Sequence, residues 1–308
     1  MNIYILLNQI LVLFIIIFLG FILRKRNIIT GEMSTGLSRL LVEIIMPTLI
    51  VNSILNVTLN AEIIRNIVLM GVLSFLSYFF VLLFATVASK KMNEEKSKKD
   101  IFKFLLIFGN VGYMGIPVIS AIFAPEAVIY TIINNIVFNI YIWTYGVQIL
   151  SQEEEGKIIQ WDKLVNNGTI ALIIGFFLLI TQINLGPLRG SIEIVAEMTF
   201  PLSMLIIGSS LTNVNFMKLV KDKYIYFITV LKLLIIPFIA LLILKNTALP
   251  DIIANTLILL LAMPSGANTV IFAEKFNSDY KFASEGVFIT TLLSLLTIPI
   301  FIYLISLF

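Results

Sequence analysis

Apolar residues gather along this chain in long blocks, separated by short polar or basic stretches. A helix that crosses a bilayer needs about 20 mostly apolar residues. Ten blocks reach that length, at roughly residues 4–23, 35–55, 66–88, 101–123, 127–150, 165–184, 189–211, 223–244, 251–273 and 282–307. The second and seventh are the least hydrophobic. The pattern predicts an all-α integral membrane protein with ten transmembrane helices.

Lysine and arginine set the direction, because they collect in cytoplasmic loops. With the N-terminus outside, the inner loops hold Arg24, Lys25, Arg26 and Arg39, then the run from Lys90 to Lys103. They continue with Lys157 and Lys163, with Lys218, Lys221 and Lys223, and with Lys275 and Lys281. Together these are 17 of the 21 basic residues. One missed helix would invert every later loop and destroy the bias. Both termini are therefore expected outside a plasma membrane, with residues 151–163 as a cytoplasmic connecting loop. The run Lys90–Lys103, interleaved with Glu94, Glu95 and Asp100, reads as a determinant of topology. The first block lacks the basic start and cleavage site of a signal peptide and reads as a retained span.

Composition narrows the function. The chain is 59% hydrophobic and 13% charged, against roughly half and a quarter in soluble domains. It has no cysteine and no histidine, which removes disulfides, thiolate metal sites and the commonest general base. No paired acids or nucleophile–base set suggests an enzyme. No G-x-x-x-x-G-K-[ST] loop suggests an ATP-driven pump. No cofactor, metal or nucleic-acid partner is expected. What remains is a carrier.

Residues 1–150 and 164–308 each contain five of the expected spans. Five is odd, so the second set enters the membrane in the opposite orientation, and inverted repeats of this kind are typical of transporters. Local sequence agrees. Glu43 lies four residues before Pro47 in "VEIIMP" of span two, and Glu197 four before Pro201 in "AEMTFP" of span seven. The fourth span of each half is interrupted, by Pro117 and by Pro264.

These interruptions, "GNVGYMGIP" (Gly109–Pro117) and "MPSGAN" (Met263–Asn268), carry the candidate chemistry. Proline lacks a backbone donor and clashes with the carbonyl four residues earlier. In hydrocarbon the freed backbone groups are tolerated only against protein or a water-filled cavity. Facing one another near the midplane, the two breaks would bring four half-helix ends together. Helix N-termini favour an anion such as a carboxylate, and Asn110 and Asn268 can each add an amide donor. The competing reading is close helix packing, for which glycine is common in membrane helices. Recurrence at matching positions favours a site made of Asn110, Gly112, Gly115, Pro117, Pro264, Gly266, Asn268 and Thr269.

Other polar residues within the spans keep two readings each. Asn135 and Asn139 share a helix face and either line a substrate path or bond neighbouring helices. Glu43, Glu197 and Lys232 lie deep in spans, where an ionisable group costs at least about 2.5–3.5 kcal/mol. Either a glutamate couples proton movement to transport, or these groups form structural pairs and backbone contacts.

Taken together, "GNVGYMGIP", "FPLSMLIIGSSL" (Phe200–Leu211), "LKLLIIP" (Leu231–Pro237), "AMPSGANTVIFAEKF" and "TTLLSLLTIP" make the chain resemble the auxin efflux carrier family over nearly its whole length. That family includes plant PIN-formed carriers and bacterial carriers of the malonate or malate type. The resemblance implies two inverted five-helix repeats whose broken spans four and nine cross at an anion site. It also implies a transport domain that moves elevator-fashion against a scaffold domain. The family's asparagine seven residues before the span-four proline matches Asn110. Small carboxylates, membrane lipid and a second copy of the chain are the partners it implies. Thr269 stands where plant members have a second proline, and the connecting loop is far shorter than theirs, so auxin itself is disfavoured. The rival is a sodium- or proton-coupled carrier of the related symporter or antiporter fold with a different cargo. Spans four and nine carry no acid before Glu274, which disfavours a cation as cargo.

Overall fold

In hydrocarbon a helix satisfies its own backbone, so long apolar blocks have few alternatives to it. The computed structural model describes residues 3–57, 60–150, 167–210, 212 and 222–307. In chain order the helices are α1 (Ile3–Lys25), α2 (Gly31–Leu55), α3 (Ala61–Ser89), α4 (Lys96–Ile107), α5 (Val111–Ile122) and α6 (Pro125–Leu150). There follow α7 (Asn167–Thr181), α8 (Pro187–Ser209), α9 (Lys223–Lys245), α10 (Asp251–Leu261), α11 (Asn268–Lys275) and α12 (Tyr280–Leu307). Six of them, α2, α3, α6, α8, α9 and α12, are long and apolar enough to cross a membrane, and α5, α7 and α10 are shorter apolar helices. The chain is thus an all-helical integral membrane protein. The expected fourth span is divided into α4 and α5, and the ninth into α10 and α11. The connecting loop at 151–163, together with Lys218 and Lys221, lies outside the described residues.

Prolines are accommodated in a repeated way. Wide π-turns at Leu41–Ile45, Val111–Gly115 and Leu231–Ile235 each end two residues before a proline, at Pro47, Pro117 and Pro237. Bonding from i to i+5 opens the helix ahead of the ring, where a regular turn would clash. This corrects one expectation. Pro117 does not break span four. The non-helical residues are Phe108–Asn110, and Gly112, Gly115 and Pro117 all lie in helical turns beyond them.

The chain packs as two units, each drawn from both halves of the sequence. Unit one comprises Met1–Val68, Gly112–Ile133 and Val165–Val214. Its α1 and α8 approach backbone to backbone, since a Cβ on Gly208 would run into the Ile17 carbonyl and one on Gly20 into that of Leu205. Small residues permit such contacts between membrane helices. Its apolar core joins Leu49, Ile50 and Ile54 of α2 to Ile129, Ala171 and Ala196. The Arg189 guanidinium donates to Leu55 O (3.2 Å) and Asn56 Oδ1 (2.6 Å), closing the carbonyl end of α2.

Unit two comprises Leu69–Val111, Asn134–Leu164 and Asn215–Phe308. Phe104 packs on Phe108 and Phe272, and Phe272 on Trp143, with ring centroids 4.5–5.4 Å apart. At the start of α4, Lys98 ties three helices together. Its ammonium pairs with Asp222 at 2.6 Å and Glu94 at 3.4 Å, and lies over the rings of Tyr224 and Phe282. Partial burial works against this charge, but the Asp222 and Glu94 carboxylates outweigh it and hold the Lys98 pKa above the ordinary lysine value.

Candidate functional site

The two interruptions meet inside unit two. Gly109 and Ser265 form an isolated antiparallel bridge. The Asn110 N–H donates to Pro264 O at 2.7 Å, and the Gly266 N–H to Phe108 O at 2.9 Å. Each break therefore supplies the partners that the other lacks, as backbone buried in an apolar setting requires. Ser265 braces the bridge on both sides. Its hydroxyl donates to Leu105 O (2.8 Å), and its N–H donates to Thr290 Oγ1 of α12 (3.2 Å). Gly266 is required by proximity, because a Cβ there would stand 3.0 Å from Gly109 O.

Helices α4 and α10 end at this bridge, and α5 and α11 begin just after it. The side-chain amides of Asn110 and Asn268 are partly exposed and hydrogen-bond to no described residue. Thr269 is fully buried, and its hydroxyl has no partner among the described residues. The backbone N–H groups of Asn110 and Gly266, which sequence offered to a ligand, are already engaged in the bridge. Those two N–H groups are therefore not available to a ligand, whereas the asparagine amides are donors with no described partner.

Lys232 joins the same place. It is 2% exposed, and its ammonium donates to Leu106 O, in the last turn of α4, at 2.9 Å. A cation there opposes the partial negative charge of a helix C-terminus. No described carboxylate pairs with it, and its described partner is a backbone carbonyl rather than a glutamate. Glu43 and Glu197 are exposed in unit one rather than buried. Glu43 accepts from Arg39 Nε at 2.8 Å, an i,i+4 surface pair of small energetic weight.

The remaining candidates separate. The Asn139 amide donates to Asn135 O (2.8 Å) and Oδ1 (3.1 Å), and neither residue bonds to the bridge. Neighbouring Asn134 is the helix–helix contact, bonded to Ser74 Oγ (2.9 Å) and to the Tyr78 hydroxyl (3.3 Å). Gly112, Gly115 and Pro117 fall in unit one, whereas Asn110, Pro264, Gly266, Asn268 and Thr269 fall in unit two. Sequence reasoning missed Ser265, Thr290 and Gly109. The first and last lay inside quoted motifs, but Thr290 carried no signal, because its partner is 25 positions away.

The sequence profile of the family described as "Membrane transport protein" matches residues 5–302. The chain belongs to the auxin efflux carrier family. Two relatives of this auxin efflux carrier family member are archaeal. One is the uncharacterized transporter MJ1031 of Methanocaldococcus jannaschii, 24% identical over 306 residues, covering 95% of this chain and 96% of that one. The other is an uncharacterized transporter of Methanothermobacter thermautotrophicus, 24% identical over 304 residues with the same coverage. Similarity along nearly the full length of both relatives agrees with the family match, and the family is one of membrane transporters.

Proposed function

We propose that the chain is a secondary carrier of small organic anions of the carboxylate class in the plasma membrane. Ten spans in two inverted sets place both termini outside. Unit one serves as the scaffold, and unit two moves elevator-fashion with the substrate. The observation that carries this reading is the paired break. The bridge between Gly109 and Ser265 is flanked by Asn110 and Asn268, whose amides have no described partner, and a buried lysine with no described acid partner lies against Gly109. Such a place favours negative charge. A sodium ion would compete with Lys232 for the Leu106 carbonyl, which weighs against the cation-cargo alternative. Glu43 and Glu197, exposed as they are, are weak candidates for proton coupling.

Purified protein in proteoliposomes should take up radiolabelled malonate, malate or indole-3-acetate without nucleotide. Asn110→Ala should lower binding of the transported acid about tenfold or more in titration calorimetry, while the thermal midpoint stays within a few degrees. Strict ATP dependence, or an unchanged affinity in Asn110→Ala, would refute the reading.

A further inference from the structure

Away from the bridge, α3, α9 and α10 enclose a groove of about 430 Å³ that lies wholly within unit two. Its α3 wall runs from Leu73 to Phe84 and its α9 wall from Ile236 to Leu244, both at three- and four-residue spacings. Every lining side chain is apolar except Ser77, whose hydroxyl donates to Ser74 O at 2.8 Å. The groove therefore offers nothing to a carboxylate. Ala240, the smallest lining side chain, stands midway along the α9 wall. Phe80 and Ile243 are exposed, so the groove is open to its surroundings. Among membrane-spanning helices those surroundings are hydrocarbon. Water finds no polar partner there, and an empty groove forfeits dispersion contacts along its walls. Its dimensions suit an acyl chain. From Ile236 to Lys245, the last residue of α9, the helix rises about 14 Å, close to the roughly 15 Å that one leaflet contributes to the hydrocarbon core.

Charges of both signs stand at the α9 end of this groove, next to Leu244. The Lys245 ammonium donates to Asp251 Oδ1 at 3.2 Å, across the loop that joins α9 to α10. The lysine side chain is 7% exposed and the aspartate 83%, so the carboxylate is the member presented to a neighbour. We propose that the groove binds phosphatidylethanolamine, with one acyl chain between α3 and α9 and the headgroup at the Lys245–Asp251 pair. Lipid tails are as apolar as the groove, so the chain alone gives no preference over bulk lipid. Selection comes from the headgroup. Its phosphate accepts from the Lys245 ammonium, and its own ammonium donates to Asp251. A choline headgroup has no N–H to donate, and a glycerol headgroup has no positive charge. Leu261 lines the groove and ends α10 three residues before Pro264. The bound chain thus braces the helix that leads into the bridge, whatever the transported cargo.

The test is native mass spectrometry and thermal unfolding of the full chain, delipidated in detergent. It is offered phosphatidylethanolamine, phosphatidylcholine or phosphatidylglycerol with identical acyl chains. The wild type should retain the ethanolamine lipid about fivefold over either other, the scale of a partly exposed charged contact. The same lipid should raise the unfolding midpoint, since it binds the folded state. Asp251→Asn should erase the preference for ethanolamine over choline. Ala240→Phe, whose ring would fill the groove, should lower retention about tenfold or more. Equal retention of the three lipids, a preference for phosphatidylglycerol, or unchanged retention in Ala240→Phe would each overturn the proposal. Phosphatidylethanolamine with a mid-chain diazirine tests the same point without a variant. Its adducts should concentrate in residues 73–84 and 236–244. Adducts spread evenly over the exposed faces of α1, α7 and α12 would overturn it. If Ala240→Phe abolishes a dimer and leaves lipid retention unchanged, a second copy occupies the groove and the proposal fails.

Discussion

Both units bring backbones into close approach at a glycine, by opposite means. In unit one, Gly208 and Gly20 let α1 and α8 touch by van der Waals packing alone. In unit two, Gly266 lets two interrupted helices exchange hydrogen bonds. Charge follows the same division. Among the described residues the buried charged side chains, Lys232 and Asp100, both belong to unit two, while Glu43 and Glu197 of unit one are exposed. At these two close approaches, one unit relies on shape and the other on polar groups that must remain satisfied.

The sharpest way to break the contrast is Gly208→Ala. Its methyl would meet the Ile17 carbonyl, a backbone atom with no rotamer into which to retreat. Overpacking of this kind costs about 1–3 kcal/mol or more, to be read as a lowered unfolding midpoint in detergent. Protein that still folds should bind the proposed carboxylate normally. Gly266→Ala reverses the balance. At 3.0 Å from Gly109 O the bridge must yield by a few tenths of an ångström, so about 1 kcal/mol of stability is lost. Ligand affinity should fall about tenfold or more in the same calorimetric assay. Equal effects of the two alanines on affinity would erase the distinction between the units.

Smaller effects sharpen it. Lys98→Met should cost about 1 kcal/mol or less, as partly exposed pairs do. Because the Lys98 pKa is raised by Asp222 and Glu94, the stabilisation is complete below the unfolded lysine value of about 10.4 and is lost as pH rises through the higher folded value. The difference in midpoint between wild type and Lys98→Met should stay constant from about pH 6 to 9 and shrink only above about 10.4. Arg39→Ala, which removes the exposed partner of Glu43, should change stability by at most about 0.5 kcal/mol.

Sequence made the two breaks legible, because glycine, proline and asparagine cluster there against an apolar background. It did not reveal their register. That Gly109 stands opposite Ser265 depends on bonds between residues more than 150 positions apart. Lys232 was visible as a charge inside a span, but its acceptor is the Leu106 carbonyl, and every residue has a carbonyl. The depth of Glu43 along its span was legible, but not that its side chain lies on the outer face of α2, because depth says nothing about which side of the helix a residue occupies. For Asn134, Asn135 and Asn139, spacing showed that the last two share a face. It could not show that the first reaches Ser74 and Tyr78. The two units were hidden for a related reason, since each is assembled from segments of both halves.

The wide turns ahead of Pro47, Pro117 and Pro237 have a consequence for reading any set of variants. A π-turn carries one residue more than an α-turn, and each residue advances the helix by about 100°. A wheel drawn at constant pitch therefore assigns every position beyond the turn to the wrong side. In α9 the shift falls between Lys232, directed to Leu106 of the crossing, and Phe238 and Ile239, which are exposed. Removing one residue from Leu231–Ile235 should restore a regular pitch while keeping the distal half of α9 in phase with its neighbours. The ring of Pro237 would then press on a carbonyl that the extra residue now holds clear.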